Sequence, residues 1–278
     1  MSPLIEITDP RVFDPEAIII DVRAGANAYE RYLAGHLPNA IYANLDDDLA
    51  EHPADPALGG RHPLPSLEDF TATLGNWGIR PDSHVIVYDD KAGAMGGARL
   101  WWMLRSIGHT NVQVLNGGLK AATDEGVELS TDAYTPVAVT PYPVPAAYRN
   151  TVNIEEVEAA AKADDRMVID VREGQRYLGH TEPLDLVAGH IPGAVNLFYS
   201  NSLSPEGKYL TAQALATLYE ETIGDLNPGD VIVHCGSGVT ACHTLLGMEY
   251  AGINNAKLYV GSWSEWSRRG LPIATENK

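Results

Sequence analysis

Short runs of β-branched and aliphatic residues recur along the chain, each bounded by polar or turn-forming residues. Ile18–Asp21, Val85–Tyr88 and Val112–Leu115 in the first half have the length and composition of buried strands, as do Val168–Asp170, Val231–His234 and Lys257–Val260 in the second. Between them, Ala98–Ile107 and Ile154–Ala163 place apolar residues at helical spacing, and Thr244–Met248 continues in the same way. Alternation of strands and helices predicts an α/β fold in which mostly parallel sheets are flanked by helices. Ligands of such sheets bind at the carboxyl ends of the strands.

The two halves repeat one another. Ala17–Leu45 parallels Arg166–Leu197, sharing an IDVR strand end and a later AGH-(L/I)-P-x-A turn, and SHVIVYDDKAGAMGGARLWWML parallels GDVIVHCGSGVTACHTLLGM. QVLNGGLKA and KLYVGSWSE follow in the same order. The offset of roughly 145 residues is that of a duplicated whole domain, too long for a solenoid unit. Thr131–Thr151, with four prolines, reads as an extended linker. The expected organisation is a first copy at 1–132, a linker at 133–150 and a second copy at 151–278.

The motif that raises chemistry is VIVHCGSGVTACHTLL, Val231–Leu246. It puts Cys235 at the end of a strand, before small residues and a helix. Such a turn aims successive backbone N–H groups and the positive end of a helix dipole at whatever the sulfur carries, which favours a thiolate nucleophile. The competing assignment is a small buried hydrophobe. In the first copy Asp89 takes the place of Cys235, so that copy forms no thiolate there and is expected to be a structural partner walling a cleft.

Charge and cysteine usage narrow the partners. The chain has 278 residues, with 19 Lys and Arg against 37 Asp and Glu, for a net charge of -18. That balance argues against nucleic acid and anionic membrane, and requires an anionic substrate to be attracted locally. Two cysteines with six residues between them make neither a disulfide framework nor a common zinc pattern, so no metal is expected. The start MSPLIEITDPRVF has no basic or apolar export signal, and no run approaches the roughly twenty apolar residues of a membrane span, so the expected compartment is the cytoplasm.

Taken together, Asp170-Val171-Arg172, Ala188–Ala194, the loop Cys235–Ala241 and Gly261–Trp266 resemble the tandem-domain rhodanese family of sulfurtransferases over nearly the whole chain. The resemblance implies that Cys235 takes a sulfane sulfur from a small anionic donor as a persulfide and passes it to cyanide or a thiol acceptor such as thioredoxin. It implies no cofactor: the N–H groups from Gly236 through Ser237, Gly238, Val239 and Thr240 to Ala241 would hold the persulfide. The loop CGSGVTA is similar to that of 3-mercaptopyruvate sulfurtransferases, with Gly236 and Ser237 where thiosulfate-specific members tend to carry Arg and Lys. Arg176 matches an arginine that family members place over the site, a clamp for carboxylate or sulfonate. A second arginine, usual in Glu-Pro-Arg or Glu-Pro-x-Pro-Arg, is replaced in Glu182-Pro183-Leu184-Asp185, which leaves thiosulfate open as the donor. His36 and Ser237 match a histidine and a serine proposed as a proton relay in some relatives.

Other candidates read as structural. His234 should point away from the Cys235 side chain. Asp170 and His190 recur as Asp21 and His36, which favours turn-pinning, and Arg172 and Arg23 are expected in ion pairs. Cys242 reads as a buried helix residue, with redox resolution as the alternative, and the tryptophans at 101, 102, 263 and 266 as core or domain interface. A cysteine phosphatase would need arginine where Ala241 stands. A non-catalytic binding module is the remaining rival.

Overall fold

The computed structural model describes residues 1–276; Asn277 and Lys278, at the end of the second expected domain, lie outside the described residues. The chain forms two compact units.

The first unit comprises Met1–Glu51, Leu64–Arg149 and Pro205–Tyr209. Its strands are β1 (Leu4–Ile5), β2 (Ile18–Asp21), β3 (Ile41–Tyr42), β4 (Val85–Tyr88) and β5 (Val112–Leu115). They form one sheet in the order β1-β5-β4-β2-β3, with every pairing parallel. The second unit comprises His52–Pro63, Asn150–Ser204 and Leu210–Lys278. Here β6 (Thr151–Val152), β7 (Met167–Asp170), β8 (Val195–Asn196), β9 (Val231–His234) and β10 (Lys257–Tyr259) pair in the order β6-β10-β9-β7-β8, again all parallel. The strand order is the same in both sheets, as the sequence repeat requires.

β4 and β9 are buried along their whole length, which explains their unbroken apolar runs: a parallel strand covered on both faces has no solvent side to alternate with. The helix before β7 spans Ile154–Ala160, begun by a capping box between Asn153 and Glu156. It is shorter than its periodicity predicts, because Lys162 and Ala163 make tighter three-residue bonds to Ala159 and Ala160. The second core gathers Ile154, Val157, Val168, Ile232, Tyr259, Trp263 and Trp266. The first includes Ile5, Ile19, Leu37, Ile86, Tyr88 and Leu115.

Two short segments pack away from their own half. Residues 52–63 belong to the second unit and 205–209 to the first, where the Tyr209 N–H donates to Asn116 Oδ1 (2.9 Å) and Lys208 Nζ meets Glu6 (2.8 Å). The first of these exchanges brings residues of the N-terminal half to the candidate site.

Candidate active site

Cys235 follows β9 directly and is buried, and the helix Ala241–Tyr250 begins six residues on. Three ties fix the turn to the next segment. The Cys235 N–H donates to Ser262 Oγ (3.2 Å), its carbonyl accepts from the Trp263 N–H (3.0 Å), and the Gly236 carbonyl accepts from the Ser264 N–H (2.9 Å). Gly238 has φ +75°, and a methyl group on it would stand 2.5 Å from the Val260 carbonyl oxygen, so only glycine lets the loop curl there. Among the described residues, the N–H groups of Gly236, Ser237, Val239, Thr240 and Ala241 have no acceptor within the chain.

The corresponding turn of the first unit shows what such a loop accepts. Asp89 follows β4 and is fully buried, and its carboxylate takes four backbone N–H groups: Lys91 (2.8 Å), Gly93 (2.8 Å), Met95 (3.0 Å) and Gly97 (3.1 Å). Burial pushes its pKa up against the pull of those four bonds. The first loop is thus an anion cradle filled by its own side chain.

Ser237, buried in the Cys235 loop, has its Oγ 2.7 Å from His62 Nδ1. His62 arrives on the 52–63 segment. The expectation that His36 partners this serine is corrected: the His36 ring stacks on Tyr32 at 3.8 Å, with Nδ1 on the Tyr32 carbonyl (2.8 Å) and Nε2 on the Asp132 carbonyl (3.2 Å). His190 repeats the stacking, on Tyr177 at 3.7 Å with Nδ1 on the Tyr177 carbonyl (2.7 Å). Both histidines pin a turn. His62 has no such repeat partner and lies 175 residues from Ser237 in the chain, so the sequence offered little to find it.

Arg176 lies on the short helix Gly174–Tyr177. It meets Glu182 through Nη2 (2.6 Å) and Nε (3.1 Å), and Asp185 through Nη2 (3.5 Å). Arg61 Nε lies 3.1 Å from Asp185 Oδ1, and Arg268 Nη1 lies 2.9 Å from the same oxygen. The segment after Glu182 therefore turns the Asp185 carboxylate inward while Leu184 and Leu186 stay exposed. A methyl group on Gly236 would stand 3.2 Å from Arg61 Nη2 and 3.5 Å from Arg176 Nη2, so both guanidinium groups border the residue after Cys235.

Behind this layer, Arg172 pairs with Asp170 (2.7 Å) and Glu182 (3.1 Å) and lies over the Trp263 ring at 4.6 Å. Burial pushes the Asp170 carboxyl up, but Arg172 and the nearby His234 outweigh it and leave the pKa below the ordinary value. Burial holds the His234 imidazole down, against the pull of Asp170, so the ring is neutral at pH 7. Cys242 is buried, its Sγ donating to the Gly238 carbonyl at 3.3 Å. Trp263 and Trp266 lie in the second core. No group of His, Cys, Asp and Glu among the described residues is arranged to hold a metal ion, and no described helix is long and apolar enough to cross a membrane.

Comparison with known proteins agrees across both halves. A model of the rhodanese-like domain matches residues 8–125 and again 153–269. SseB of Mycobacterium tuberculosis, which carries the name of a thiosulfate sulfurtransferase, is 39% identical over 274 residues, covering 96% of this chain and 91% of that protein. The 3-mercaptopyruvate sulfurtransferase of Escherichia coli is 34% identical over 281 residues, covering 94% of this chain and 92% of that protein. Among solved structures, 3-mercaptopyruvate sulfurtransferase from Leishmania major superposes with a TM-score of 0.82 at 30% identity, covering 96% of this chain and 75% of that one.

Proposed function

Because the chain belongs to the rhodanese-like domain family in both of its halves, we propose that it is a sulfurtransferase whose second unit moves a sulfane sulfur from 3-mercaptopyruvate through a persulfide on Cys235. The observation that carries this reading is the contrast between the two loops. Where the first holds the Asp89 carboxylate on four N–H groups, the second offers a thiol followed by amides with no acceptor. A persulfide is an anion of the kind those amides suit.

In the loading step the Cys235 thiolate attacks the sulfur of 3-mercaptopyruvate. The carbon–sulfur bond breaks, its electron pair passes to the carbon, and the resulting enolate takes a proton to become pyruvate. Ser237, held by His62, is the group to deliver or relay that proton. The transferred sulfur loses its own proton and rests on Cys235 as the persulfide anion. In the discharge step cyanide or a thiolate acceptor attacks the outer sulfur, and the sulfur–sulfur electron pair returns to Cys235 as thiolate. Arg176 is the clamp for the donor's carboxylate. Thioredoxin or another small thiol suits the acceptor role, and two free cysteines suit a reducing cytoplasmic compartment.

Thiosulfate is the second reading for the donor. It is favoured by the name of the Mycobacterium tuberculosis relative and by the guanidinium groups beside Gly236, which would suit a dianion. The test is thiocyanate production from cyanide with either donor, by wild type and Cys235→Ser. Activity abolished in the variant, with higher catalytic efficiency on 3-mercaptopyruvate, is the expected result. Higher efficiency on thiosulfate would reverse the donor assignment, and no turnover with either would return the chain to the binding-module reading.

A further inference from the structure

The donor site as read from the sequence has one arginine and lacks its second. The structure supplies another from an unexpected segment. We propose that Arg61 is a substrate-binding residue that acts with Arg176 to grip the oxyanionic end of the donor, a carboxylate or a sulfonate, over Gly236. The proposal rests on the reading of Cys235 as the sulfur acceptor.

Arg61 is held in place rather than left to wander. Its N–H donates to Ser264 Oγ (3.0 Å), the Gly59 N–H donates to Glu265 Oε1 (3.2 Å), and Gly60 between them has φ +85°, with no room for a side chain because its Cβ would fall 2.4 Å from the Gly261 carbonyl oxygen. The turn is therefore built against the segment that also ties down Cys235. Asp185, its side chain fully buried, then orients the guanidinium through Nε (3.1 Å) and a longer contact from Nη2 (3.4 Å).

Charge points the same way. Asp185 and Glu182 face Arg61, Arg176 and Arg268, three guanidinium groups against two carboxylates, and Arg172 is further committed to Asp170. A local excess of one positive charge in a protein of net charge -18 marks a place where an anion is expected. Nη1 of Arg61 and Nη1 of Arg176 have no hydrogen-bond partner among the described residues, and both side chains are partly open, at 25% and 14% exposure. Paired guanidinium edges recognise planar or tetrahedral oxyanions by bidentate bonds that a lone ammonium cannot reproduce.

The test separates binding from chemistry. The Cys235→Ser protein, which cannot turn over, is titrated calorimetrically with pyruvate as the carboxylate probe and with sulfite as the sulfur-oxyanion probe, with and without Arg61→Gln. In parallel, KM and kcat are measured with 3-mercaptopyruvate and with thiosulfate for wild type, Arg61→Gln and Arg61→Lys. The expected result is a loss of about tenfold or more in affinity for at least one probe, a matching rise in KM for the corresponding donor with a smaller change in kcat, and partial recovery in Arg61→Lys. The probe that suffers more identifies the source of the oxyanion. Equal binding and equal KM in Arg61→Gln would overturn the proposal while leaving the Cys235 reading intact. A wild type with no turnover on either donor would overturn the Cys235 reading itself.

Discussion

Ser237 Oγ and His62 Nδ1 stand 2.7 Å apart, although 175 residues separate them in the chain. The pairing comes from the exchange of segments, since 52–63 leaves the first half to complete the second unit. It predicts that Ser237→Ala and His62→Ala each lower turnover of 3-mercaptopyruvate by about a hundredfold, the scale of a lost proton-transfer partner. His36→Asn should leave kcat within about twofold and lower the melting temperature instead, because that ring serves two backbone carbonyls. Steady-state pyruvate release and thermal denaturation on the same samples check both halves of this prediction. Unchanged turnover in Ser237→Ala would remove the serine from the mechanism.

Two glycines of one loop should respond differently to the same methyl group. Gly238→Ala meets backbone, the Val260 carbonyl at 2.5 Å, in a left-handed conformation, and is expected to destabilise the protein by more than about 2 kcal/mol. Gly236→Ala meets side-chain atoms only, Arg61 Nη2 at 3.2 Å, Arg176 Nη2 at 3.5 Å and Asp185 Oδ2 at 3.8 Å, and a shift of a few tenths of an ångström at the first relieves it, so stability should change by less than about 0.5 kcal/mol. Its effect should fall on the donor, with a severalfold rise in KM. Urea denaturation beside donor kinetics distinguishes the two.

Glu182 makes the site sensitive to acid. Burial pushes its carboxyl up, but the hydrogen bond from Arg176, the Leu184 and Asp185 N–H groups and the Arg176 charge together bring it below the ordinary 4.5. For a carboxylate held down in this way, the stabilisation is complete above the unfolded value and is lost as pH falls through the folded one. Wild type should therefore exceed Glu182→Gln in stability at neutral pH, with the gap closing as pH falls below the ordinary 4.5 and through the lowered folded value. A gap that stays constant across that range would show that Glu182 contributes through packing alone.

Asp89 fills its cradle from within. Asp89→Ala leaves four N–H groups in a buried loop without their acceptor and is expected to cost about 3 kcal/mol or more. The measurement is chemical denaturation of the full chain. Stability equal to wild type would mean that water satisfies those groups.

Local pattern carried most of the architecture. Every predicted strand is a strand, with two boundaries moved by one residue, to Met167 and to Tyr259, because a fully buried parallel strand writes itself as an unbroken apolar run. The substitution of Asp89 for Cys235 was legible for a similar reason, since both follow equivalent strands in a repeat. What local pattern could not carry were contacts made by exchanged segments. His36 has a motif and a repeat partner but is a turn pin, whereas His62 and Arg61 sit in a proline-rich loop with no periodicity, and only the folded second unit brings them to Ser237 and Gly236. Leu184 and Asp185, read as the loss of a clamp, separate in space: the leucine faces solvent while the aspartate orients three arginines.

The chain also contains its own reference state. One copy of the loop is permanently filled by a side chain that never leaves, while in the proposed cycle the other is filled and emptied once per turnover. A group that binds only the folded form adds to its stability by mass action, and a covalently attached anion resting on otherwise unused amides does so without any dilution. Heat resistance of the second unit should therefore follow the sulfur it carries. The drained enzyme between turnovers would be the more fragile form, and an idle protein kept loaded by its donor would be the more durable one.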